Sequence, residues 1–211
     1  MNILNLFSPH FSFKNFIDKK IFNKIFFLLS LFFVNETAAQ LNGTYTIGTG
    51  QNYNTFNEAI DELNTIGISG PVTFKVSSGI YDEKLSFLNF PGNSCETPVV
   101  FESASGVNTD VVLQHTFTAY NDFVIEINGA DGISFKNMTL THTANVYYGR
   151  IFNILGGSDC LVLSNNVIKG TNLNDALIYS RGLNNSHTYD SNSFDTGSYG
   201  IDKNGTNTSS R

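Results

Sequence analysis

Ile133-Ser-Phe135-Lys-Asn137-Met-Thr-Leu140, Leu161-Val-Leu163-Ser-Asn165-Asn-Val-Ile168 and His187-Thr-Tyr189-Asp-Ser191-Asn-Ser-Phe194 are one pattern written three times, at offsets of 28 and 26 residues. In each copy an apolar or aromatic residue stands two before an Asn or Ser, and a bulky residue follows three later. Gly129, Gly157 and Gly182 precede the copies by a few residues. A repeat this short cannot bury its apolar face alone, so copies must stack, each covering the last. Stacking puts apolar residues in inner columns and lets Asn side chains ladder their amides at the bends. The pattern predicts an all-β fold, a right-handed parallel β-helix. A Greek-key sandwich carries similar Asn- and Gly-rich turns, and the repeat favours the solenoid over it.

Upstream, Val72, Phe74 and Val76 alternate with Thr73, Lys75 and Ser77, which is a half-buried strand. Further strands are expected over 85–90, 99–103, 111–115, 123–127, 133–141, 151–155, 161–168, 176–180 and 186–194. One segment breaks this period. Phe56, Ala59, Ile60, Leu63 and Ile66 fall at helical spacing, Thr55 and Glu58 have capping-box spacing, and Gly67 sits where a C-cap belongs. This helix is expected to cover the first coil and blunt its open edge. The expected organisation is an export signal over 1–39, an N-terminal cap and first coil over 40–103, and further coils over 104–211. A solenoid normally needs caps at both ends. Asp202 to Arg211 offers no apolar cover, so the chain is expected to be a fragment or a truncated reading frame.

Lys19, Lys20 and Lys24 precede the apolar run from Ile25 to Val34, and Thr37-Ala38-Ala39 supplies small residues for cleavage near Ala39. That run of about ten residues is short of the roughly 20 needed for a spanning helix. The reading is therefore a secreted or cell-surface protein without a stable membrane span. The aromatic stretch before Ile17 makes the leader long and leaves the true start codon open. The net charge of −6 becomes more negative once the lysine-rich leader is removed, and a chain of that sign excludes phosphate-backbone binding as its business. Nucleic acid is not an expected partner, and a monomer is. Cys95 and Cys160 are the two cysteines. An oxidising compartment permits a bridge between them, and buried free thiols fit equally well.

The run Tyr53-Asn-Thr-Phe56-Asn-Glu-Ala59-Ile60-Asp-Glu-Leu63, followed by Val72-Thr-Phe-Lys-Val76-Ser-Ser-Gly79-Ile-Tyr81-Asp-Glu83, resembles the N-terminal cap and first coil of the pectin-lyase-like β-helix superfamily. Pectin methylesterases open similarly, and large secreted β-helix proteins of Bacteroidetes-type bacteria are more similar still. The resemblance covers about 35 residues and implies surface or carbohydrate work, without transferring an active site.

No complete catalytic set follows. Esterase chemistry of that superfamily needs paired aspartates, one to attack and one to protonate the leaving group. Asp122-Phe123-Val124-Ile125 superficially resembles one such motif and lacks its partner, so it reads as a turn entering a strand. Lyase chemistry needs carboxylates around calcium and a basic residue. Asp131, Asp159 and Asp190 occur near equivalent places in successive repeats, with Arg150 and Arg181 nearby; these are candidates for calcium or glycan contact. Asp after a turn Gly has an ordinary local role as well. Calcium is the one cofactor such residues suggest. His115, His142 and His187 read as polar outward positions. Tyr120, Tyr147, Tyr148, Tyr179 and Tyr199 offer rings for stacking sugars, or for packing. The expected function is a non-catalytic secreted or surface module, an adhesin or glycan-contacting protein that binds an extracellular polysaccharide. The alternative is a fragment of a polysaccharide lyase or pectin esterase-like enzyme whose catalytic residues lie beyond residue 211.

Overall fold

The computed structural model of the protein describes Lys24 and residues 39–143, 148–171 and 174–204. The expected export signal, apart from Lys24 and Ala39, lies outside the described residues, as does Tyr147. Strand β1 (Leu41–Ile47) is followed by helix α1 (Phe56–Ile66) and a first coil of β2 (Ile68–Val76), β3 (Gly79–Asp82) and β4 (Leu85–Leu88). The second coil is β5 (Val99–Ser103), β6 (Val111–His115) and β7 (Phe123–Asn128); the third is β8 (Ile133–Lys136), β9 (Thr139–His142) and β10 (Arg150–Leu155). The fourth is β11 (Val162–Ser164), β12 (Val167–Lys169) and β13 (Ala176–Arg181), and the fifth β14 (Thr188–Asp190), β15 (Ser193–Asp195) and β16 (Tyr199–Asn204). The first strands of the coils extend β1 into a six-stranded sheet, and the second and third strands build two five-stranded sheets. Every pairing between these strands is parallel. The chain is a right-handed parallel β-helix.

The segments 133–141, 161–168 and 186–194, expected as single strands, are each two strands bent at a corner. Simple geometry requires it. Phe135 and Leu140 are both fully buried although they stand an odd number of positions apart, and a straight strand sends such residues to opposite faces. The corner falls on Asn137, Asn165 and Ser191, with φ of 55°, 55° and 54°. Asn tolerates this left-handed conformation because its short side chain bonds locally. Three copies are legible where the described residues form five coils, because the step from Phe101 to its register partner Phe135 is 34 residues. The long connections of the second coil break the period.

Inside, Phe74, Phe101 and Phe135 stack face to face at 4.8 and 5.3 Å, one from each of three successive coils. Tyr45 and Tyr53 lie against the Phe74 end of this column at 5.9 and 5.7 Å, and helix α1 packs beside it, with Phe56, Ala59, Ile60 and Leu63 buried and the Phe56 ring stacked 5.7 Å from Phe101. Thr55 Oγ1 accepts the Glu58 N–H at 3.1 Å, while the Glu58 carboxylate takes the Asn54 N–H at 2.6 Å, one residue earlier than in a strict capping box. Gly67, at φ 72°, ends the helix and donates to the Leu63 carbonyl. Cys95 and Cys160 are joined in a disulfide, which decides between the two readings left open. Among the described residues, no helix is long and apolar enough to cross a membrane.

Candidate functional site

Parallel register copies each strand position into a row along the solenoid axis, with about 4.8 Å between neighbours. On the third sheet one row reads Phe123, Arg150, Ala176, Tyr199, and another Glu126, Asn153, Tyr179, Asp202. These rows and the connections entering them from the second sheet form an open cleft of 660 Å³, lined by Tyr120, Asn121, Tyr148, Arg150, Tyr179, Tyr199 and Asp202 among others. That volume suits a ligand of a few sugar rings.

Tyr120, Tyr148 and Tyr199 are 68%, 58% and 61% exposed, an unusual gathering of accessible aromatic surface. Tyr179 differs. The Arg150 guanidinium lies 3.6 Å from its ring centroid and that of Arg181 3.8 Å. Two guanidinium planes at such distances cannot share one face, so they hold opposite faces and leave neither for a sugar. Tyr179 is thus a pillar that sets the two arginines. Arg181 forks onto Asp202, with Nη1 to Oδ1 at 3.2 Å and Nη2 to Oδ2 at 2.8 Å, and this bond raises the Arg181 pKa. Arg150 donates to Asn153 at 3.0 Å and to Asn121 at 3.2 Å. No described carboxylate lies within ion-pair distance of it. Burial, and then the neighbouring Arg181, lower its pKa against the opposing pull of Tyr179, Asp202 and Glu126. It remains a cation, since guanidinium does not deprotonate in proteins. Among the described lining residues Asp202 is the one carboxylate, and Arg181 holds it.

Of the residues singled out in the sequence, Arg150, Arg181 and Tyr148 come together here, while Tyr147 lies outside the described residues. The aspartates do not join them. Asp131 Oδ1 accepts the Asp159 N–H at 2.8 Å, and Asp159 Oδ1 accepts the Asn185 N–H, so each carboxylate caps the backbone of the next coil. Asn93 begins this ladder by accepting the Asp131 N–H at 2.6 Å. Asp190 belongs to a different row, in register with Ser164, and the true third rung is Asn185. No three His, Cys, Asp or Glu side chains converge on a metal-sized site among the described residues.

His142 corrects the expectation of an outward polar residue. It is 2% exposed, its ring stacks on Phe117 at 4.1 Å, and its Nε2 lies 2.8 Å from Asp175 Oδ2. The signal was its parity: His142 is two residues from the inward Leu140 and so shares its face. His187 is turned partly inward too, with Nε2 2.9 Å from the Ser158 carbonyl, and burial lowers its pKa. His115 keeps a half-exposed place 3.7 Å from Asp122. Asp122 itself is buried and anchors the loop carrying Tyr120. Burial pushes its pKa up, and the Lys84 hydrogen bond with the Thr118 and Phe123 N–H groups overrides that and holds it below the ordinary value.

No protein-family model matches the chain, and no curated protein matches it. Among solved structures it is similar to the pectin methylesterase from Aspergillus niger in deglycosylated form, at 15% identity and a TM-score of 0.48, over 75% of this chain and 59% of the esterase. The penultimately deglycosylated form of that enzyme gives the same figures. This chain therefore spans 59% of the length of the esterase it is similar to.

Proposed function

We propose that the protein is a non-catalytic, exported β-helix module, acting at the cell surface or beyond it, that holds a polysaccharide in the tyrosine–arginine cleft. The observation that carries this reading is the set of three exposed tyrosine faces around Arg150, a half-buried cation with no acidic partner among the described residues. Tyrosine rings present flat apolar faces to sugar C–H groups, and a guanidinium fork hydrogen-bonds hydroxyls and carboxylates. The lone described lining carboxylate is bonded to Arg181, so no acid–base pair is arranged among the described lining residues. The disulfide supports export, because such bridges persist in oxidising compartments.

The test is titration calorimetry of the oxidised protein against polygalacturonate, alginate, hyaluronan and neutral xyloglucan, with and without calcium. Binding of at least one glycan is expected, weakened tenfold or more in Arg150→Ala and in Tyr148→Ala. Failure to bind any of them overturns the reading. Release of unsaturated ends or methanol replaces it with the lyase or esterase alternative.

A further inference from the structure

Asp175 is buried behind the cleft wall, and the rim converges on it. Its Oδ2 lies 2.8 Å from His142 Nε2 and accepts the Thr171 N–H at 3.1 Å; its Oδ1 accepts the Gly149 N–H at 3.2 Å. Its own carbonyl accepts the Ser198 and Tyr199 N–H groups at 2.9 and 3.4 Å. Gly149 stands between Tyr148 and Arg150, so one residue touches the backbone that carries three lining side chains. A second observation concerns the space around Asp175. Gly149, Gly170 and Gly197 occupy the same corner of three successive coils, and none has positive φ. A Cβ on Gly149 would meet Phe117 at 2.5 Å and Asp175 Oδ1 at 2.9 Å; on Gly170, the Thr196 carbonyl oxygen and, at 2.8 Å, Asp175 Oδ2; on Gly197, Leu177 at 3.1 Å and the Asp175 carbonyl oxygen at 3.2 Å. A side chain at these turns would thus run into Asp175 together with Phe117, Thr196 and Leu177, so the chain is closely packed around the carboxylate.

We propose that Asp175, clamped by His142, is the positioning residue of the cleft: it fixes Tyr148, Arg150 and Tyr199 at the spacing a ligand meets. This rests on the glycan reading above. Oδ2 of an ionised Asp175 calls for a donor, which His142 supplies in the tautomer that carries its proton on Nε2, and Phe117 stacks on the imidazole. Asp175→Asn keeps the shape and breaks the pattern, because an amide NH2 accepts nothing and must face either the Gly149 N–H or the Thr171 N–H.

The experiment pairs amide hydrogen exchange of the unliganded full chain with affinity for hexagalacturonate, in Asp175→Asn and in the milder His142→Gln, whose amide still donates to Asp175. Exchange at residues 148–150, 171 and 199 is expected to rise at least tenfold while β5 and β8 stay protected. Affinity is expected to fall about tenfold in each variant. Combined with Arg150→Ala, Asp175→Asn should lose less than the sum of the two separate effects, since it acts through the same arginine. A merely structural role would raise exchange throughout and add the two losses, and that result overturns the proposal. Unchanged exchange at the rim overturns it as well. Wild-type protein that binds no glycan fails the cleft reading and with it the proposal, whereas binding lost in Arg150→Ala and retained in Asp175→Asn sinks the proposal alone.

Discussion

Asn165 and Asn166 are neighbours with opposite tasks. Asn165 turns the corner at φ 55° with its side chain outside, donating to the Asn137 carboxamide at 2.6 Å. Asn166 is 1% exposed; its Oδ1 accepts the Met138 N–H at 3.1 Å and its Nδ2 donates to the Phe135 carbonyl at 2.8 Å. Asn192 repeats that arrangement one coil on, accepting from Asn166 and donating to the Leu163 carbonyl. An inward turn of backbone has no strand partner, so these amides satisfy groups that would otherwise be buried unpaired. Asn166→Ala should therefore cost about 3 kcal/mol, since each buried group left unpaired costs about 1–3. Asn165→Gly should stay within about 0.5 kcal/mol, because glycine adopts the same φ and the lost bond is exposed. Urea denaturation of the two variants decides it, and equal midpoints would refute this division of labour.

Helix α1 is the element most plainly written in the sequence, because its period differs from everything around it. The strands 99–103 and 111–115 were also legible to the residue. Corners were not, since a single left-handed residue leaves no compositional gap. The cleft was half legible: Arg150, Arg181 and four of the five expected tyrosines stood out as residue types, yet only register reveals that Tyr179 is covered and that Asp190 stands apart from Asp131 and Asp159. A further contact escaped any local reading. The Glu83 carboxylate, from the connection between β3 and β4, accepts the Phe56 N–H at 3.0 Å and the Asn57 N–H at 2.9 Å, along with Asn57 Nδ2 at 2.8 Å. Those N–H groups open the helix, where free donors and the positive end of the helix dipole favour an anion. Glu83 thus ties the cap to the first coil. Glu83→Ala is expected to lower stability by about 1–2 kcal/mol, comparable with losing a helix cap. The thermal midpoint should fall by several degrees, with faster exchange concentrated in α1; a midpoint equal to wild type would show that Thr55 and Glu58 suffice.

At the scale of the molecule, a solenoid is a one-dimensional array in which each coil touches mainly its neighbours, so it can open from an end. The disulfide departs from that rule. Cys95 lies in the connection between the first and second coils and Cys160 in the connection between the third and fourth, so the bridge passes over the corner at Asp131 and Gly132. Asn93 bonds the Asp131 backbone through both of its amide atoms, at 2.6 Å each, which presses the same loop onto the coil being spanned. Closing a loop with a sequence separation of 65 restricts the unfolded chain by an entropy worth about 4 kcal/mol in the chain-entropy account. Replacing both cysteines by serine should lower the free energy of unfolding by roughly that amount. It should also change how the molecule opens. Without the bridge the first three coils, held by α1 and the stacked Phe74, Phe101 and Phe135, keep their cover while β13 and β16 exchange earlier. With the bridge, opening between Cys95 and Cys160 is coupled, and β5 to β10 unfold as one unit. Hydrogen exchange across a denaturant series measures both effects, and a serine variant with the wild-type midpoint and the wild-type order of opening would refute the staple.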